Sequence, residues 1–157
     1  MSVLIVYDTR TGNTEKMAYA VAEGVMSEGI AVEIKKVVEA SVDELPKVDG
    51  IILGSPVYYG LVSGKLKEFI DDSVKYHGKL EGKVGAAFVS SGGSHSGAET
   101  AIISLLEALL IHGMVIQGTP GRNHYGAASV GAPDDMAVET CRRLGKRVAR
   151  LIKKLLD

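Results

Sequence analysis

Residues 2–28, SVLIVYDTRTGNTEKMAYAVAEGVMSE, decide the fold class. Ser2 to Tyr7 is an apolar run rich in β-branched residues, the pattern of a strand buried on both faces. From Asn13 to Glu28, Met17, Ala18, Val21, Ala22 and Val25 recur at helical spacing, and Gly29 fits the helix C-cap. A buried strand feeding an amphipathic helix through a short polar loop is the first half of a βαβ unit.

The same alternation continues outward. Ala31 to Val37 reads as a strand near a sheet edge, and Ser41-Val42-Asp43-Glu44 has the capping-box pattern of a short helical turn. Ile51 to Leu53 is a buried strand. Leu66, Phe69, Ile70 and Val74 make one helical face opposite Lys65, Lys67, Glu68, Asp71 and Asp72. Val84 to Val89 is a strand, and Ser96-Gly97-Ala98-Glu99 reads as a capping box opening a helix to about His112. Met114 to Ile116 is the last core strand. Pro133, at a first-turn position, opens a long helix with Cys141, Leu144, Val148, Leu151 and Leu155 inward. The pattern predicts an α/β fold, a doubly wound five-stranded parallel sheet of order 2-1-3-4-5 with helices on both faces.

The composition narrows the function. The chain has 157 residues, one domain's length, with 18 basic and 19 acidic residues and a net charge of -1. That balance leaves no electrostatic footprint for nucleic acid or an anionic membrane. No apolar stretch approaches the ~20 residues of a membrane span, and Met1-Ser2-Val3-Leu4 lacks a signal peptide's basic region. A single cysteine, Cys141, excludes an intrachain disulfide and a cysteine metal cluster. The histidines have no metal-ligand spacing, so no metal is expected. These features predict a single cytoplasmic domain over residues 1–157.

In such a sheet the ligand sits beyond the carboxyl ends of the strands, so three loops matter. The first, Thr9-Arg10-Thr11-Gly12-Asn13-Thr14, gathers hydroxyls and backbone amides at a helix N-terminus and suits a phosphate without a lysine. The plainer reading is a polar turn with Asn13 as N-cap. The loop is neither a Walker loop nor a Gly-x-Gly-x-x-Gly dinucleotide turn. The second, Ser55-Pro56-Val57-Tyr58-Tyr59-Gly60, sets two tyrosines at a strand end, where one stacks on a flat aromatic ligand or packs in the core. The third, Ser90-Ser91-Gly92-Gly93-Ser94-His95-Ser96-Gly97, offers amides and small side chains around a ring edge. It lacks the Gly-x-Ser-x-Gly elbow of a hydrolase. His95 is an exposed loop residue or part of the pocket. A phospho-receiver reading fails because Gly54-Ser55 and Gln117-Gly118 stand where its aspartate and lysine belong.

Thr9-Arg10-Thr11-Gly12-Asn13-Thr14 is similar to the flavodoxin phosphate pattern Thr-x-Thr-Gly-x-Thr. Gly54 to Gly60 followed by Ser63-Gly64, Ser91-Gly92-Gly93, His112-Gly113-Met114-Val115-Ile116 and His124-Tyr125-Gly126-Ala127 extend the likeness. In order, these segments resemble the flavodoxins, and more closely the flavodoxin-like NAD(P)H:quinone oxidoreductases of the WrbA type. The resemblance covers almost the whole chain and implies FMN as cofactor. It assigns Thr9, Arg10, Thr11, Gly12, Asn13 and Thr14 to the FMN phosphate, Arg10 lying at a variable position of the motif. Pro56, Val57, Tyr58, Tyr59 and Gly60 would flank the isoalloxazine. Ser91, Gly92, Gly93, Ser94, His95, Ser96 and Gly97 would line its pyrimidine and ribityl side. His124 would lie near a flavin, its own or a neighbouring subunit's.

The chain departs from the WrbA type in lacking tryptophan, which that family places in the segment matching Val74 to Leu80. Its connection from Gln117 to Asn123 is also abbreviated. Two functions follow from the resemblance: NADH- or NADPH-dependent two-electron reduction of a quinone, or one-electron carriage between redox-partner proteins. Carriers of this family are strongly acidic, and a net charge of -1 favours the enzyme. The helix from Ser96 to His112 is apolar around most of its circumference. With the family's habits, that implies a homodimer or a tetramer.

Overall fold

The structure, a computed structural model, describes residues 1–156. Strand β1 (Ser2–Tyr7) is followed by helix α1 (Asn13–Met26) and β2 (Ala31–Lys36). A 3-10 helix at Val42–Lys47 leads into the long β3 (Gly50–Tyr58), the two-residue β4 (Leu61–Val62) and α2 (Gly64–Asp72). After a second 3-10 turn come β5 (Val84–Ser91), α3 (Ala98–Ile111), β6 (Val115–Ile116), β7 (Ala127–Val130) and α4 (Asp135–Leu156).

The parallel path runs β2-β1-β3-β5-β6, with β7 also on β5. Five parallel positions thus follow the expected 2-1-3-4-5 order, but the strand count is corrected upward. The fifth position is split: Val115 pairs with Val84 at its start, and Ala127 pairs with Phe88 further along. Residues 117–126 leave the sheet between them. Periodicity misses β7 because Ala127-Ala128-Ser129-Val130 carries too little apolar bulk to stand out. β4 folds back antiparallel on β3, pairing Leu61 with Tyr58.

The two-residue alternation of the strands feeds two cores. Val3, Ile5 and Tyr7 face α1 and α4, with Met17, Phe88, Leu144 and Ile152. Leu4 and Val6 face α2 and α3, with Ile51, Leu66, Leu80 and Leu105. On the first face α1 and α4 approach closely. A Cβ added at Gly145 would stand 2.0 Å from the Val21 carbonyl oxygen, so only glycine permits that crossing.

Several helix ends differ from the sequence reading. Gly12, at φ 87, is the N-cap of α1, and Asn13 is its first helical residue. α3 is capped by Gly97, not by a Ser96 capping box, and Ser96 donates to the Gly93 carbonyl instead. α4 begins two residues beyond Pro133, with the Asp134 carboxylate accepting from the Ala137 amide. Val74 leaves the α2 face for the second 3-10 turn and is exposed. The Ser41 capping box is formed as expected.

Candidate functional site

At the carboxyl ends of β1, β3 and β5 three chain segments converge. The first is the loop 8–13. Asp8 is buried and accepts from the Thr9 amide at 2.9 Å, and Thr9 Oγ1 accepts from the Gly12 amide at 3.0 Å. These turns aim the start of α1 across the sheet end. The amides of Thr11, Asn13, Thr14 and Glu15 meet no acceptor among the described residues. With the positive end of the helix dipole they form an anion-receptive nest. Thr11 and Arg10 are exposed beside it, while Thr14 is buried and shares a hydroxyl hydrogen bond of 2.8 Å with Ser90.

Glu15, in the first turn of α1, would oppose an anion there. Its carboxylate is instead turned aside: the Tyr7 hydroxyl donates to it at 2.7 Å and Lys36 Nζ lies 3.1 Å away. Those hydrogen bonds, from Tyr7 first and then Lys36, hold the Glu15 carboxyl below the usual carboxylate range. Burial first, and then Glu15, push the Tyr7 phenol up.

The second segment is the β3–β4 hairpin. Tyr59 and Gly60, at φ 50 and φ 78, form its two-residue turn. Positive φ at both central residues matches the twist of the strands, and a tyrosine there is strained. The turn throws Tyr59 fully into solvent, whereas Tyr58 is half-buried. Arg10 Cζ lies 4.6 Å from the centroid of the Tyr58 ring, a cation–π contact that ties the first loop to the second. Pro56 is buried and Val57 half-buried in β3 itself, so they support the hairpin. Ser55 Oγ donates to the Pro56 carbonyl and accepts from the Ser63 amide at 2.9 Å, which fixes the hairpin's base.

The third segment is the loop 92–97. Ser91 is buried, and its hydroxyl donates to the Gly93 carbonyl at 3.0 Å. Gly92, Ser94, His95 and Ser96 are exposed, and His95 takes a φ of 55. Thr100, which the motif reading passes over, donates to the Gly60 carbonyl at 3.0 Å and fastens α3 to the hairpin. Its signal in the sequence is only a hydroxyl in a helix's first turn.

Beside this loop lies a groove of about 590 Å³, walled by Ser94, His95 and Glu99 on one side and Asn123, His124 and Tyr125 on the other. His124 lines this groove, and its Nδ1 lies 2.9 Å from the Thr119 carbonyl oxygen. Asn123 is a further groove residue without a motif signal. Its φ of 61 turns the chain back toward β7.

An anion-receptive loop, an aromatic hairpin and a polar loop at the switch point of a 2-1-3-4-5 sheet define a flavodoxin-like α/β protein. The chain belongs to the flavodoxin family: a flavodoxin domain matches residues 4–110. It is 44% identical to a flavodoxin of Aquifex aeolicus, over 99% of this chain and 89% of that one. It is 36% identical to an NAD(P)H dehydrogenase (quinone) of Archaeoglobus fulgidus, over 98% of both chains. Its fold superposes on a WrbA-like flavodoxin from Agrobacterium tumefaciens with a TM-score of 0.84, 26% identity and 98% of each chain covered. No helix among the described residues is long and apolar enough to cross a membrane.

Proposed function

We propose that residues 1–157 form one redox domain that holds FMN and passes electrons from NADH or NADPH to a quinone. The observation that carries the cofactor is the α1 N-terminus, where four amides are unengaged among the described residues, in a loop joined to the hairpin by Arg10 on Tyr58. Those amides suit the phosphate. When bound, the flavin supplies the redox chemistry. The chain's residues bind and orient it. Arg10 covers one face of Tyr58, whereas Tyr59 is fully exposed, which favours Tyr59 as the stacking ring. Gly92 to Gly97 would supply backbone along the ring edge. The groove between His95 and His124 leaves room for a small planar acceptor or a nicotinamide.

Thr11→Ala tests the cofactor assignment. Loss of a hydroxyl donor to a charged phosphate costs about 1.5–3 kcal/mol, so FMN binding should weaken by more than tenfold in a fluorescence-quench titration. Unchanged affinity overturns it. For the stacking residue, Tyr59→Ala should shift the bound-flavin spectrum more than Tyr58→Ala.

The 44% identity to a protein named flavodoxin favours the second reading, a carrier between protein partners. Anaerobic mixing separates the two. Rapid bleaching by NADH or NADPH, restored by a benzoquinone, supports the enzyme. No bleaching with either nucleotide returns the protein to the carrier. A homodimer built on the exposed Ile103, Leu110 and Ile111 of α3 is part of the proposal, and light scattering at micromolar concentration tests it.

A further inference from the structure

On the far side of the 117–126 excursion, against α4, lies a second pocket of about 330 Å³. Three arginines line it, Arg122, Arg143 and Arg147, together with the hydroxyl-bearing Thr119 and Thr140. No carboxylate side chain is among its lining residues. Glu139 offsets Arg143, which leaves Arg122 and Arg147 as the pocket's uncompensated charges among the described residues.

The other arginines of α4 each have a carboxylate. Arg142 donates to Glu23 at 2.7 Å, Arg143 to Glu139 at 3.1 Å, and Arg150 lies 2.8 Å from Glu28. Arg147 is half-buried and has no hydrogen bond or ion pair among the described residues. Burial alone acts on its guanidinium, pulling its pKa down. Arg122 likewise meets no acid among the described residues, its Nη1 lying 3.6 Å from the Met136 sulfur. A half-buried guanidinium with unused donors, lining a cavity without carboxylates, is placed to receive an anion. Its planar fork matches phosphate oxygens.

We propose that this pocket binds a phosphate-bearing anion, with Arg147 as the anchoring residue and Arg122 and Arg143 closing over it. The pocket shares Asn123 and Gly126 with the groove beside His95. The same chemistry therefore has two sources, a phosphate carried by a dinucleotide lying in that groove or an independent phosphorylated small molecule.

The test uses the full chain saturated with FMN, so that the α1 N-terminus is occupied; failure of FMN to bind registers separately as absent fluorescence quenching. Inorganic phosphate, NADP+ and NAD+ are titrated at constant ionic strength, read by calorimetry and by the Arg147 Nε resonance. Phosphate is expected to saturate and to move that resonance. Arg147→Met should weaken the binding by about tenfold or more, while Arg150→Met leaves it unchanged. NADP+ binding at least ~10-fold tighter than NAD+, with the difference lost in Arg147→Met, identifies the dinucleotide as the source. Saturable phosphate binding without that preference identifies the independent ligand. If neither phosphate nor NADP+ shifts the Arg147 resonance of the parent protein, the proposal is wrong, whether or not the methionine variant folds.

Discussion

Gly97 packs against Gly60 so closely that a Cβ on Gly97 would lie 2.4 Å from the Gly60 Cα and 3.0 Å from its carbonyl oxygen. The contact joins the N-cap of α3 to the turn carrying Tyr59, and Thr100, in the first turn of the helix, donates to the same Gly60 carbonyl. Two of the three loops are thus packed and hydrogen-bonded to each other.

Gly97→Ala should therefore be costly twice over. Its φ of 99 is closed to a side chain, and the Cβ collides with backbone that has nowhere to yield. Gly12 has a comparable φ of 87 but open space around it, so Gly12→Ala carries the strain alone. Strain of this kind costs on the order of 1–3 kcal/mol, and urea unfolding should show Gly97→Ala less stable than Gly12→Ala. Equal losses would mean that the contact is slack.

Thr14 and Ser90 share their hydrogen bond in a buried setting between the first loop and β5. Thr14→Val keeps the shape and leaves the Ser90 hydroxyl without that partner. We expect a stability loss of about 1–3 kcal/mol, measured without flavin, and a smaller loss in the double variant with Ser90→Ala.

His112, the C-cap of α3, is buried with Nε2 2.8 Å from Ser73 Oγ and with Nδ1 unpartnered. Burial, and then His77, hold its pKa below the ordinary histidine value. The unfolded chain therefore takes up this proton at higher pH than the folded one does. The stability contribution is full above about pH 6.5 and is lost as pH falls below it. Stability measured from about pH 7 to pH 5 should fall more steeply for the parent than for His112→Gln. Parallel curves would overturn this assignment.

Cys141 lies wholly buried in α4, and burial pushes its thiol up to about 12. A thiol reagent at pH ~8 should leave the native protein unmodified and label one equivalent only after denaturant is added. Fast labelling of the folded chain would show that α4 opens from the sheet.

The strand-loop-helix unit at residues 2–28 is local, and its consequences were legible before any contact was known. A buried strand, a hydroxyl-rich loop and an amphipathic helix leave few arrangements other than a right-handed crossover. Capping was less legible. Ser41 behaves as its motif says: its hydroxyl accepts from the Asp43 amide and the Glu44 carboxylate accepts from the Ser41 amide. Ser96 does not, because the helix start is set by the Gly97–Gly60 approach and moves one residue on.

What the sequence determined by itself was the order of the sheet and the three loops at its carboxyl end, because both follow from periodicity and nearest-neighbour chemistry. Only the tertiary structure decided that the fifth strand is split between Val115–Ile116 and Ala127–Val130, since a strand so poor in bulk exists by pairing with β5. It also decided that Tyr59 points to solvent while Tyr58 lies under Arg10, and that Arg147 meets no acid among the described residues. Those outcomes depend on which distant residues share one space, and that information is carried by packing between elements rather than by any single stretch of chain.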